Sequence, residues 1–122
     1  MPAMRHDLVI EQGATYVLTV KLTDHATGAP YVVPSDAEVR MQIRNRQGQM
    51  VMAEASTTHG GITHASGVLR VEISAEDTSM MPYASGKYDI EMQRGEYVVR
   101  LLDGDVEVRE NITQEPGEPI LR

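Results

Sequence analysis

Residues 86–111 read "GKYDIEMQRGEYVVRLLDGDVEVREN", and they carry the clearest structural pattern in the chain. In the first part, apolar side chains occupy every second position, at Tyr88, Ile90 and Met92. Such alternation is typical of a strand with one buried face and one face in water. The "RGE" at residues 94–96 predicts a tight turn, and an apolar segment follows it. The stretch therefore predicts two consecutive strands, of which the second closes the domain.

The second of these strands changes its phase of alternation around Gly104. Apolar residues fall on odd positions from 97 to 101 and on even positions from 106 to 108. One extra residue must be absorbed if a single face stays buried, and glycine accommodates a bulge most easily. We predict the bulge or bend at Gly104, because the alternative register that buries Val98 and Leu102 would also bury Arg100.

The two acids that flank this glycine, Asp103 and Asp105, raise calcium binding as a second interpretation. A calcium loop of the EF-hand type needs alternating acidic side chains, a bidentate glutamate about twelve residues in, and flanking helices. Leucines precede this pair and Val106 follows it, with no helical pattern on either side. The sequence therefore predicts no metal site at this position.

Alternation of the same kind recurs along the rest of the chain. It predicts long strands at residues 15–23, 37–46 and 68–74, with shorter ones at 7–12, at 50–55 and around Ile62. The segment "AEDTSMM" at 75–81 is the best helical candidate, because Ser74 can cap it and Pro82 limits its length. Seven or eight short strands with one short helix favour an all-β, antiparallel β-sandwich, with a small barrel as the main alternative.

Composition restricts the classes of function. The chain has 122 residues, which suits one domain, and it contains no cysteine, phenylalanine or tryptophan. Without cysteine neither disulfides nor thiolate chemistry contributes, which fits folding in a reducing cytosol. A net charge of −7 argues against a nucleic-acid partner, and no apolar run reaches the length that spans a bilayer. The first residues lack the apolar core of a signal peptide, so we expect a soluble intracellular product, made in the cytoplasm.

No signature of catalysis or cofactor binding is present. His59 and His64 are five positions apart, a separation that points side chains to opposite faces of a strand, and no third ligand lies near them. Neither a nucleophile elbow nor a phosphate-binding loop occurs. We therefore predict no catalytic residue, no metal and no cofactor, and we expect the histidines to lie in solvated loops.

Apolar residues at two places are candidates for contacts with a partner protein. Met80 and Met81 end the predicted helix, and methionine repacks easily against varied surfaces. Ile120 and Leu121 lie near the end of a tail that also contains prolines, at residues 114–122. The alternatives are that the methionines fill the core and that the tail folds back on its own domain. We place the sandwich itself at residues 1–113.

Three segments together resemble a family of small bacteriophage virion proteins, and in particular the N-terminal immunoglobulin-like module of phage baseplate upper proteins. The segments are "VIEQGATYVLTVKLTD" at 9–24, "AEVRMQIRNRQG" at 37–48 and the run from "GVLRVEIS" to "VEVRENIT" at 67–113. The resemblance covers roughly residues 8–113 and lies in the order of the elements. The chain departs from the family in "HATGAPYVVPSD" at 25–36, and no long receptor-binding region follows the module.

The resemblance implies an immunoglobulin-like sandwich and a structural role in the virion, with no catalytic residue to carry over. Partners would be other phage structural proteins of the tail, neck or baseplate, in a multi-copy or homo-oligomeric assembly without nucleic acid or membrane. A capsid decoration protein is an alternative with the same fold. A carbohydrate-binding module, with Tyr31 in the sugar site, is a further alternative, although such sites usually need more exposed aromatic residues than this chain offers.

Overall fold

The computed structural model describes residues 3–82 and 84–112, which form nine strands and one short helix. The predicted tail at 114–122 lies outside these residues. The elements, in chain order, are β1 (Met4–Arg5), β2 (Leu8–Glu11), β3 (Tyr16–Lys21), β4 (Glu38–Asn45), β5 (Val51–Ser56), β6 (Ile62–Ala65), β7 (Val68–Ile73), α1 (Ala75–Ser79), β8 (Ser85–Arg94) and β9 (Tyr97–Arg109).

These strands form two sheets, which confirms the predicted all-β sandwich. The larger sheet has the order β5-β4-β8-β9, and both β1 and β2 pair with β9 at its far edge. The smaller sheet has the order β3-β7-β6. In the immunoglobulin arrangement strands B, E and D form one sheet while C, F and G form the other. Here β3, β7 and β6 occupy the first set of positions, and β4, β8 and β9 occupy the second.

The pairing is antiparallel except at one edge, where β1 and β2 run parallel to β9. The sequence prediction missed β1, since a two-residue strand is too short to show alternation. Between β1 and β2 the chain stays close to β9, because the His6 amide donates a hydrogen bond to the Asp103 carbonyl at 2.8 Å. The N-terminal segment thus follows β9 along most of its length.

The core contains the side chains that alternation assigned to it. Tyr88, Ile90 and Met92 on β8 are buried, as predicted. The inward residues of the other strands pack against them in one cluster, which includes Leu18, Val20, Val39, Met41, Ile43, Leu69, Val71 and Ile73. Large apolar side chains removed from water in this way supply the main driving force for folding. The alternation of apolar and polar residues therefore predicted correctly which side chains of the two sheets are buried.

The predicted change of phase in β9 is present, but its predicted position at Gly104 is wrong. The register pairs Ile90 with Leu102 and then Glu91 with Arg100, which leaves Leu101 as the extra residue of a bulge. Leu101 and Leu102 are both buried. Gly104 instead forms a regular pair with Tyr88 within a continuous strand of 13 residues.

A different requirement explains the glycine at position 104. A side chain there would collide with the carbonyl oxygen of His6, where the N-terminal segment passes over β9. The absence of a Cβ thus allows the close approach of two backbones, which is a second common use of glycine in strands. The sequence contained a residue suited to a bulge, but the structure uses it for close packing.

Helix α1 closes one end of the sandwich, and its cap is the predicted one. The Asp77 amide donates a hydrogen bond to Ser74 Oγ at 3.1 Å, which satisfies one of the free amides of the first turn. The helix ends at Ser79, before the predicted end at Met81. No helix of the described residues, α1 included, is long and apolar enough to cross a membrane.

The connection from β5 to β6 crosses between the two sheets near the start of α1, through Gly60 and Gly61. Both glycines have positive φ angles, and a side chain at Gly61 would collide with Ala55. Gly61 bridges Ser56 of the larger sheet and also accepts a hydrogen bond from the Glu72 amide of β7 at 2.7 Å. The "HGG" of the sequence therefore forms a corner of the fold.

Candidate functional site

The acidic residues beside Gly104 lie on the outer face of the larger sheet, and one of them, Asp105, is paired with arginines. Arg5 contacts the Asp105 carboxylate at 2.9 Å, and Arg46 approaches it at 3.7 Å. The Asp105 amide donates to the Asp7 carboxylate at 2.9 Å. Exposed ion pairs of this kind contribute little to stability, but here they neutralise the carboxylate that a calcium ion would need. The arrangement ties β1 to the sheet.

Tyr88 forms a second, buried contact between the N-terminal segment and the larger sheet. Its hydroxyl donates a hydrogen bond of 2.5 Å to the His6 carbonyl, and its side chain is almost fully buried. Burial raises the pKa of Tyr88 well above 10, and the nearby Tyr16 and Asp103 raise it further. Burial also raises the pKa of Tyr16. Tyr88 therefore stays a neutral hydrogen-bond donor, which suits a structural role.

One surface crevice is open and strongly acidic. Its volume is about 890 Å³, and it extends from the outer face of β4 and β5 towards the start of α1. Arg40 and His59 are the basic residues on its wall. Six acidic side chains line it, namely Glu38, Glu54, Glu72, Asp77, Asp89 and Glu91. Within residues 3–82 and 84–112 no three His, Asp or Glu side chains converge closely enough to hold a metal ion.

The two histidines of "HGGITH" take separate places. His59 is exposed in the turn after β5, where its amide donates to Ser56 Oγ at 2.8 Å. His64 lies within β6, opposite Leu69 of β7. The prediction of a loop therefore holds for His59 and is wrong for His64, which the edge strand includes.

The predicted partner contacts divide into an exposed, a buried and an undescribed part. The Met80 side chain is 77% exposed, so it is available to a partner. Met81 is 1% exposed and packs in the core, so the structure corrects its assignment as a contact residue. The chain turns Met80 outward and Met81 inward as it leaves the helix, a division that the Met-Met pair alone does not reveal. Ile120 and Leu121 lie outside the described residues.

Gln12 organises this end of the molecule, and sequence reasoning gave it no role of its own. Its side-chain amide donates to the Met81 carbonyl at 2.7 Å and accepts from the Asn111 amide at 3.1 Å. Gln12 therefore holds the end of the helix segment and the end of the last strand together. The only signal was the Gln-Gly pair in the first of the resembling segments, which marked the turn but not the contacts.

The tyrosines that the structure describes offer little surface for a sugar. Tyr31 packs against the core, and its hydroxyl lies 3.7 Å from the Met92 sulfur. Among the tyrosines that the structure describes, Tyr97 is the largely exposed one, at 64%. Sugar platforms depend on exposed aromatic faces, so the surroundings of Tyr31 do not favour the carbohydrate-binding alternative.

No protein-family model matches this chain, and no curated protein sequence matches it.

Proposed function

We propose that this chain is a non-enzymatic structural protein of a bacteriophage particle, located in the tail, neck or baseplate. In this role it contacts other phage structural proteins as part of a multi-copy, symmetric assembly, after synthesis in the host cytoplasm. The observation that carries the proposal is the immunoglobulin-like order of the strands. The three segments that resemble phage virion modules include β2 to β4 and β7 to β9, which are the main strands of both sheets.

The packing of the domain supports a module that holds its shape. Every buried side-chain nitrogen or oxygen of the described residues has a hydrogen-bond partner. Unpaired buried polar groups often mark strain or function, whereas fully paired ones favour a single rigid conformation. A rigid sandwich with charged outer faces is suited to a fixed position between neighbours, where repeated weak contacts add up through multivalency.

Electron microscopy of particles from a phage that encodes this chain tests the proposal. We expect gold-labelled antibodies against the purified protein to decorate the tail, neck or baseplate. Particles from a phage with the gene deleted provide the matched control and should not be labelled. Label on the shell would instead show a capsid decoration protein. Particles that carry no label, together with normal assembly and infectivity of the deletion phage, would contradict a structural role.

A further inference from the structure

The two sheets have exposed edges that differ in how well they are protected. At β5 the register is broken by a bulge, and beyond it the corner at Gly61 closes the edge. The β1–β2 edge is divided into two short strands around residues 6–7. Strand β6 has four residues. Strand β3 has six residues in an unbroken register with β7, which makes it the longest regular edge of the described residues.

Natural sheets usually guard such edges with charges, prolines, bulges or a covering segment, because a free edge pairs readily with another strand. Strand β3, "YVLTVK", contains no proline, no glycine and no acidic residue, and its one charge is at the end, on Lys21. Val17 is 45% exposed. No described residue forms a backbone hydrogen bond to the outer edge of β3.

The hydrogen bonds beside β3 show which of its backbone groups face outwards. The Leu22 amide donates to the Gly67 carbonyl at 2.8 Å, so even positions of this strand face β7. In an antiparallel pair the bonded residues alternate. The amide and carbonyl groups of Val17, Thr19 and Lys21 therefore point to the free edge. These three residues form a set of donors and acceptors that a further strand can use.

A second copy of the same strand fits this edge. When a two-fold axis passes beside Thr19, each of the three outward residues meets an outward residue of the other copy, and each donates and accepts once. Thr19 then faces Thr19, Val17 faces Lys21, and Leu18 faces Val20 on the core side. No like charges face each other in this register. Shifting the axis by one residue leaves outward groups unpaired.

If two copies pair, their charge favours the β3 edge over the others. Two chains of net charge −7 repel each other, and a contact costs least where acidic residues are absent. Strand β3 offers such a place, whereas β2 contains Glu11 and β5 contains Glu54. The C-terminal segment of the chain is a poorer occupant. Pro116 and Pro119 are three positions apart, so a strand made from it would turn one proline nitrogen towards β3.

We propose that β3 is a self-association edge, at which two copies pair antiparallel around Thr19 and join their smaller sheets into one. The inference does not rest on the role in a phage particle. Its failure would leave the labelling experiment unaffected, and a protein absent from particles could still form this dimer.

Sedimentation of the full chain over a range of concentrations tests the pairing. We expect concentration-dependent dimers of the wild type, and dimers of Thr19→Lys at least roughly tenfold weaker, because the two introduced lysines face each other. Thr63→Lys is the matched control, since Thr63 is the exposed threonine on the other edge strand of the same sheet. This control should dimerise like the wild type. A monomeric wild type, an unaffected Thr19→Lys or an equally weakened Thr63→Lys would each overturn the proposal.

Cross-linking keeps the test independent of how well Thr19→Lys folds. The chain has no cysteine, so Thr19→Cys introduces a single thiol beside the proposed axis. Cα atoms of a bonded antiparallel pair lie about 5.5 Å apart, within the range of a disulfide. We expect mild oxidation to convert Thr19→Cys into a covalent dimer much faster than Thr63→Cys. Equal rates for the two variants would overturn the pairing.

Discussion

Tyr88 connects the N-terminal segment to the core through one hydroxyl group. The hydrogen bond to the His6 carbonyl holds the chain where it passes over Gly104, and this close approach is what excludes a side chain at position 104. A buried hydrogen bond contributes about 1 kcal/mol, but leaving its partner unpaired costs more. Tyr88 of β8 therefore adds a buried contact to the backbone pairing of β1 and β2 with β9.

Replacing Tyr88 with phenylalanine tests this connection. We expect Tyr88→Phe to lower the free energy of unfolding by about 1–3 kcal/mol, because the His6 carbonyl loses its donor. Urea denaturation measures the difference. Tyr97→Phe is the control, since Tyr97 is exposed and the change should cost little. Equal stability of Tyr88→Phe and the wild type would show that the hydroxyl does not stabilise the fold.

The pH dependence of stability gives a second test of the same residue. The pKa of Tyr88 is raised in the folded state, so the folded chain keeps this proton after the unfolded chain has lost it. The stabilisation is therefore complete below about pH 10 and decreases as the pH rises above that value. We expect the free energy of unfolding to fall between about pH 9 and pH 11, and to fall less in Tyr88→Phe. An identical decrease in both proteins would contradict the assignment.

At the scale of the elements, helix α1 is held to the sandwich by a buried threonine. Thr78 Oγ accepts a hydrogen bond from the Gly13 amide at 3.0 Å and donates to the Ala14 carbonyl at 2.9 Å. Its side chain is fully buried. This hydroxyl joins the helix to the turn between β2 and β3. The position of Met81 in the core and of Met80 at the surface follows from that attachment.

A valine at position 78 keeps the shape of the side chain and removes the hydroxyl. We expect Thr78→Val to lower the free energy of unfolding by about 1–3 kcal/mol, since the Gly13 amide is left unpaired. Ser79→Ala is the control, because the exposed Ser79 hydroxyl bonds only to the Glu76 carbonyl of the same helix. Thermal denaturation compares the two variants. A smaller loss for Thr78→Val than for Ser79→Ala would contradict the attachment.

Most strands were predictable, because a strand with one buried face alternates apolar and polar residues along the sequence. In β4, for example, Val39, Met41 and Ile43 point inwards and Arg40 and Arg44 point outwards, as their alternation predicts. The bulge was predictable in kind but not in place. The bulge lies at the Leu101-Leu102 pair, since two adjacent residues can both face the core only where the strand contains one extra residue. The prediction placed the bulge at the nearby Gly104, because glycine accommodates a bulge easily.

The arrangements that sequence reasoning missed depend on contacts between distant parts of the chain. Strand β1 has two residues and no period of its own, so its position follows only from β9. The contacts of Gln12 reach Met81 and Asn111, which are far away in sequence. Local pattern carries no information on such pairs. The same limit applies to Met80 and Met81, whose roles separate only when the helix is docked.

For the whole molecule, we propose a structural component of a phage particle, on the basis of the strand order and the resemblance. In the part of the chain that the structure describes, the sandwich has an unguarded edge at β3 and an exposed methionine at its helical end. Those features provide surfaces through which copies of the protein and its neighbours can associate. Contact between many copies around an axis makes weak single interfaces sufficient.

Quantitative peptide mass spectrometry of gradient-purified particles tests whether the chain is a component of the particle. The measurement compares the abundance of this chain with that of the major capsid protein in the same particles. We predict a fixed, multi-copy ratio that stays constant through successive gradients and after high-salt washing. A ratio that falls to zero on purification, while the other structural proteins remain, would contradict the account.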